Sequence, residues 1–222
     1  SGVSEDFAPP MFTNLQPANN SIINETTPII SANYSDASGI NASSVLLKVD
    51  GADVTSSALV TDGGVEYTPL APLSEGIHTI YLEARDASIN SNPGNVTWNF
   101  TVDITPPMIA NLQPPDTSTT TDNTPNISAD YSDPAGIDTS SVMMEVDGID
   151  VTLSATITAT NVTYTPVATL SDALHNVYIE VKDIVGNLNT TSWSFTVDTS
   201  SDTTPPTISN LQPANNSVVG VT

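Results

Sequence analysis

Cysteine is absent from the 222-residue sequence, and basic side chains nearly so. Without thiols there are no disulfides, thiolate metal sites or cysteine nucleophiles. Three Lys and Arg against 25 Asp and Glu give a net charge of −22. Such a surface cannot neutralise phosphates, which excludes nucleic acid as a partner. No apolar run approaches the ~20 residues of a membrane-crossing helix, so membrane insertion is not expected. Ser1 opens a polar stretch lacking the apolar centre of a signal peptide, and the chain is read as soluble, either mature or excised from a longer one. Charged residues make up 13%, about half the usual share, so the acidity comes from missing cations more than from abundant acids. Ser, Thr and Asn must therefore cover the surface, and as hydrogen-bonding groups and glycan acceptors they suit the outside of a cell.

Against these absences stands an internal repeat. Asn-Leu-Gln-Pro occurs at Asn14 to Pro17, Asn111 to Pro114 and Asn210 to Pro213, so that 14 maps onto 111 and 111 onto 210, offsets of 97 and 99. The offset of 97 also carries Tyr34-Ser35-Asp36 onto Tyr131-Ser132-Asp133, Asp50-Gly51 onto Asp147-Gly148, Tyr67-Thr68-Pro69 onto Tyr164-Thr165-Pro166, and His78 onto His175. Trp98 to Asp103 pairs with Trp193 to Asp198 at an offset of 95, which puts two extra residues between Arg85 and Trp98, where a loop is expected. Asp-x-x-Pro-Pro opens each copy, at Asp6, Asp103 and Asp202. These marks divide the chain into a leading segment 1–6, domains 7–103 and 104–202, and a segment 203–222 that reads as the first strand of a third copy.

Helical periodicity is missing as well. Ile30, Ala32 and Tyr34 alternate with polar neighbours, as do Val45, Leu47 and Val49, and Trp98, Phe100 and Val102, the period of half-buried strands. About seven strands per copy are expected, near 11–16, 28–35, 44–50, 53–57, 64–69, 77–86 and 95–103. Seven short strands in such a length make an all-β chain of tandem immunoglobulin-like antiparallel β-sandwiches.

The order of these marks, with Val49-Asp50-Gly51 and Val146-Asp147-Gly148, a His at a strand start, Lys182-Asp183-Ile184-Val185-Gly186-Asn187 and Trp-x-Phe-x-Val-Asp, resembles the tandem Big-type immunoglobulin-like repeats of bacterial and archaeal cell-surface proteins over residues 7–198. The resemblance implies the fold and an extracellular setting. Such repeats occur in adhesins, surface layers, filaments and the stalks of secreted enzymes, so it implies no single activity. The first copy departs from the Asp-x-x-Gly-Asn pattern, reading Asp86-Ala87-Ser88-Ile89-Asn90, and a different hairpin turn is expected there.

Catalysis has little to stand on. His78 and His175 fall in core phase, one per domain, without a second His or Cys to complete a transition-metal site, and are read as structural caps at a sandwich end. No Gly-x-Ser-x-Gly elbow is present, so no enzyme is expected and no catalytic residue is named. An intramolecular isopeptide bond is disfavoured because Lys48 becomes Glu145 in the second copy, while Lys182 aligns with the outward Arg85. Trp98 and Trp193 are in core phase, leaving Tyr81 and Tyr178 as a thin outer platform for sugars.

Two kinds of ligand remain. In a string of sandwiches the last strand of one domain ends near the B–C and F–G loops of the next, so Asp103, Asp133 and Asp183, joined by Glu75, should meet at the junction and hold calcium. The same Asp side chains also suit turns of their own. Sequons for N-linked glycans begin at Asn19, Asn24, Asn33, Asn41, Asn95, Asn99, Asn126, Asn161, Asn189 and Asn215, about twice the number expected by chance, on the order of five. The function expected is that of a structural extracellular rod or filament, with self or neighbouring surface proteins as partners and head-to-tail donation of the 203–222 strand as one means of assembly. The alternatives are an adhesin or carbohydrate-binding module, and spacer domains of a larger secreted enzyme.

Overall fold

The computed structural model describes residues 5–200 and Ser209. The expected donor segment 203–222 and the Asn215 sequon lie outside the described residues, Ser209 apart. The first domain runs through β1 (Met11–Gln16), β2 (Ser21–Ile23), β3 (Ile30–Ser35), β4 (Ile40–Val49), β5 (Ala52–Asp53), β6 (Leu59–Val60), β7 (Gly64–Tyr67), β8 (Gly76–Asp86) and β9 (Pro93–Val102). The second repeats it as β10 (Met108–Gln113), β11 (Ser118–Thr120), β12 (Ile127–Ser132), β13 (Ile137–Val146), β14 (Ile149–Asp150), β15 (Thr156–Ile157), β16 (Asn161–Tyr164), β17 (Leu174–Asp183) and β18 (Leu188–Val197). In each, a four-stranded sheet (β1-β3-β7-β6 or β10-β12-β16-β15) faces a five-stranded one (β2-β9-β8-β4-β5 or β11-β18-β17-β13-β14).

The repeated motifs turn out to be the corners of this design. Asn14 and Asn111 adopt φ of 52°, a left-handed conformation that Asn tolerates better than most residues. Each sits in a register shift, between Thr13 and Gln16 or between Ala110 and Gln113, beyond which the first strand pairs with β3 or β12 once more, Gln16 with Ser31 and Gln113 with Ser128. The chain then crosses to the other sheet as β2 or β11, which pairs parallel with β9 or β18. Asp50-Gly51 and Asp147-Gly148 are hairpin turns with positive φ at both residues, which is why Gly follows Asp there. The Tyr34 hydroxyl meets the carbonyls of Thr61 and Gly64 at 2.8 Å, and Tyr131 repeats this with Thr158 and Asn161, fixing the loop before β7 and β16.

Each sandwich has its own core. Ile30, Leu47, Ile80, Leu82, Trp98 and Phe100 are fully buried in the first, and Ile127, Met144, Val162, Ile179 and Phe195 in the second. Burying each such side chain contributes roughly 1.5–3 kcal/mol. The expected alternation holds in the long strands, but two details differ from expectation. The strand foreseen at 53–57 is a two-residue strand followed by a 3-10 turn, Thr55–Ser57, because Thr55 exchanges hydrogen bonds with the Leu47 backbone through its hydroxyl. The parallel strands β2 and β11 and the pairs β6 and β15 were not foreseen, since two or three residues are too short to show a period.

Candidate metal centre at the domain junction

Asp183 ends β17 at the start of a tight turn, where Gly186 takes φ of 97°. The turn aims three backbone amides at one carboxylate oxygen: Val185, Gly186 and Asn187 donate to Asp183 Oδ1 at 2.9, 2.7 and 2.9 Å. Asn187 Nδ2 donates to Asp183 Oδ2 at 2.7 Å and to the Asp103 carbonyl at 2.9 Å, which ties the linker leaving the first domain to the second. Asp103, next after β9, accepts the Thr105 amide at 3.1 Å. Asp133, between β12 and β13, accepts the Ala135 amide at 2.7 Å through Oδ1.

These turns bring Asp103, Asp133 and Asp183 together, with one carboxylate oxygen from each within 4.8 Å of the others. Asp103 and Asp183 are buried, 8% and 1% exposed, and Asp133 Oδ2 is buried without any hydrogen-bond partner. Burial, then the carboxylates of Asp133, Asp183 and Glu75, push the Asp103 carboxyl above the usual range, against the pull of the Thr105 amide. Three converging acids, one oxygen of them starved of a donor, fit a hard cation that takes oxygen ligands, as calcium does. Glu75 stands beside the three and accepts the Thr105 hydroxyl at 2.6 Å, so its visible part is to hold the linker. A crevice of about 340 Å³ lined by Ile22, Ile77, Pro134 and Ala135 runs along the same junction.

A second cluster, Asp6 with Asp36 and Asp86, lies at the far end of the first domain and was not singled out from the sequence. The signal was present, since offsets of 97 map 6, 36 and 86 onto 103, 133 and 183. The altered hairpin is here resolved by Asn92, which donates Nδ2 to Asp86 Oδ2 at 2.6 Å and to the Asp6 carbonyl at 2.8 Å, the part played by Asn187.

Both His rings are buried and pack on Phe100 and Phe195 with centroids 5.7 Å apart. His78 places Nδ1 2.7 Å from Asp50 Oδ2 and Nε2 2.7 Å from the Ser74 carbonyl; His175 meets Asp147 Oδ2 at 2.7 Å and the Ser171 carbonyl at 2.9 Å. Both partners of each ring are acceptors, so each ring nitrogen is placed to donate, which favours the imidazolium. Burial opposes the charge, but these partners outweigh it and raise both pKa values.

Among the sequons, Asn19, Asn24, Asn33, Asn41, Asn95 and Asn126 are exposed, and Asn99, Asn161 and Asn189 are half-buried. Asn189 Nδ2 donates to the Pro107 carbonyl at 2.7 Å. The outer tyrosines Tyr81 and Tyr178 are both half-buried, and their hydroxyls donate to Glu83 at 2.7 Å and Glu180 at 3.4 Å.

Comparison with curated proteins gives no match. Among solved structures, the fibronectin(III)-like modules of Clostridium thermocellum CbhA align at 14% identity over 84% of this chain and 94% of that one, with a TM-score of 0.40. Immunoglobulin domains 1–4 of Sidekick-1 align at 14% identity over 86% of this chain and 49% of that one, with a TM-score of 0.48. Latent PorU from Porphyromonas gingivalis aligns at 15% identity over 86% of this chain but only 20% of its own, with a TM-score of 0.36. Residues 10–82 match the family model described as a bacterial Ig domain, and residues 114–199 the one described as a bacterial Ig-like domain. The chain is thus a tandem of two bacterial immunoglobulin-like domains.

Proposed function

We propose that this chain is a spacer segment of an extracellular surface protein, a stalk, filament or surface layer, whose work is mechanical and whose junction is locked by calcium. The observation that carries the reading is the junction itself. A linker that holds its neighbour through Asn187 and Thr105 while three acids converge on one point is built to fix an angle. A cation there would be held by Asp103, Asp133 and Asp183 and would offset the repulsion that otherwise pushes the domains apart. Pro106 and Pro107 restrict the linker further.

Covalent succession of domains is the way we propose the rod continues, with its own kind or neighbouring surface proteins as partners. Both domains carry their own first strand, β1 or β10, in the four-stranded sheet, so neither lacks the strand that donation would supply. The binding-module alternative has on the outer face only Tyr81 and Tyr178, both half-buried, a thin platform for sugar stacking.

Calcium titration by calorimetry, with small-angle scattering in calcium and in chelator, tests the reading. Expected are saturable binding, a longer and stiffer particle in calcium, and, at a hundredfold excess over Kd, about 2.7 kcal/mol of stabilisation, which is about 10–20 °C in Tm for one sandwich of this size. Absence of binding heat with unchanged scattering overturns the calcium lock; a particle that bends freely in both conditions overturns the spacer reading as well.

A further inference from the structure

We propose that Asn33, Asn41 and Asn95 are sites at which the folded first domain receives N-linked glycans. In a strand, a sequon's Asn and its Ser or Thr two residues later project from the same face. At these three positions both members are exposed: Asn33 with Ser35, Asn41 with Ser43, and Asn95 with Thr97. Among the described residues, none of the three amide nitrogens has a hydrogen-bond partner in the fold.

The second copy shows that the fold does not need those nitrogens. No described sequon recurs at an equivalent position in the two domains: Asn33 maps onto Asp130, Asn41 onto Asp138 and Asn19 onto Asp116, while Ser or Thr stays two residues on. Asn41 Oδ1 accepts the Ser43 amide at 3.2 Å and the Ser43 hydroxyl; Asp138 Oδ1 accepts the Ser140 amide at 3.0 Å and the Ser140 hydroxyl. Asn19 Oδ1 accepts the Asn99 amide at 3.2 Å, as Asp116 Oδ1 accepts that of Ser194 at 3.0 Å. An oxygen does the structural work in both copies, and the amide NH2 is surplus in the first.

Two sequons are closed in the folded state. Ser21 Oγ, the hydroxyl of the Asn19 sequon, is buried, and Asn189 Nδ2 is held by Pro107. Modification requires an activated sugar donor of the glycosyl phosphate or pyrophosphate class, supplied by the cell. The amide nitrogen forms a bond to the anomeric carbon, the carbon–oxygen bond to the phosphate breaks, the phosphate leaves with the electron pair, and the amide gives up one proton to a base of the transferase.

The inference rests on the extracellular reading above. Glycopeptide mass spectrometry of the chain from its native source, with the cell fraction recorded, tests both. Expected is glycan on Asn33, Asn41 and Asn95, none on Asn19 or Asn189, one glycan lost per Asn→Gln change, and one gained in Asp138→Asn, which completes a sequon with the exposed Ser140. Bare Asn33, Asn41 and Asn95 on chain recovered outside the cell overturn the glycans alone; bare chain confined to the cell interior overturns both. Glycan on Asn19 and Asn189 overturns modification of the folded domain.

Discussion

The upper ends of the two domains solve one problem with different loops. In the second, Asn187 lies four residues after Asp183; in the first, Asn92 lies six after Asp86, yet each clamps the carbonyl of the Asp that opens its copy. Two inserted residues changed the turn and left the clamp. What is kept is therefore not a turn type but the meeting of a strand-end carboxylate with an incoming linker. The difference lies in what stands above: beside the second domain's cluster, Glu75 of the first domain accepts the hydroxyl of Thr105 in the linker.

The largest effect is expected from emptying one core at a time. Leu47→Ala and Met144→Ala each empty a fully buried position in one of two separate cores, and each should cost about 2–5 kcal/mol. Calorimetry should show only the altered domain's transition moving; a shared shift would mean the two unfold as one unit.

Next in size is the strand-end carboxylate. Asp183→Ala strips the partners from three backbone amides and from Asn187, and Asp86→Ala strips the Ser88 and Asn92 groups. Both should lose about 2–3 kcal/mol in denaturant titrations, but only Asp183→Ala should also loosen the interdomain angle in scattering.

A change of sign separates the proposed metal from the fold of the joint. Asp133→Asn keeps the oxygen that accepts Ala135 and neutralises the unpartnered one. In chelator it should raise Tm by relieving repulsion; in calcium it should lower the gain expected of the wild-type chain. Equal Tm changes in both conditions would remove Asp133 from the ligand set.

The two His–Asp pairs should respond alike. Their pKa values are raised in the fold, so the stabilisation is fully present below the unfolded value of about 6.5 and is lost as pH rises through the folded one. Tm should fall from mildly acid towards alkaline pH, and His78→Phe or His175→Phe should flatten the slope of its own domain. The smallest effect is expected of Asn41→Asp, which copies the second domain's turn and should change stability by less than about 0.5 kcal/mol.

Much of the fold was legible because its signals are local or periodic. Alternation in Val45 to Val49 or Trp98 to Val102 shows a face, and Asp50-Gly51 shows a hairpin, without reference to the rest of the chain. The short strands β2 and β11 were not legible, since their only reason to exist is the neighbouring edge of β9 or β18. The junction acids were found from the repeat because topology alone carries a strand end to the next domain's loops. The same offset of 97 relates Asp6, Asp36 and Asp86 to Asp103, Asp133 and Asp183.

By itself the sequence determined the repeat, the sandwich class, and that Asp103, Asp133 and Asp183 come together, because these follow from period, spacing and turn chemistry along the chain. The tertiary structure alone decided that Asp133 Oδ2 lacks a donor, that Asn92 replaces Asn187, and that Asn189 is tied to Pro107 while Asn33 is free. Each of these depends on atoms from residues far apart in the chain arriving within 3 Å or failing to, and no pattern read along one strand encodes that distance.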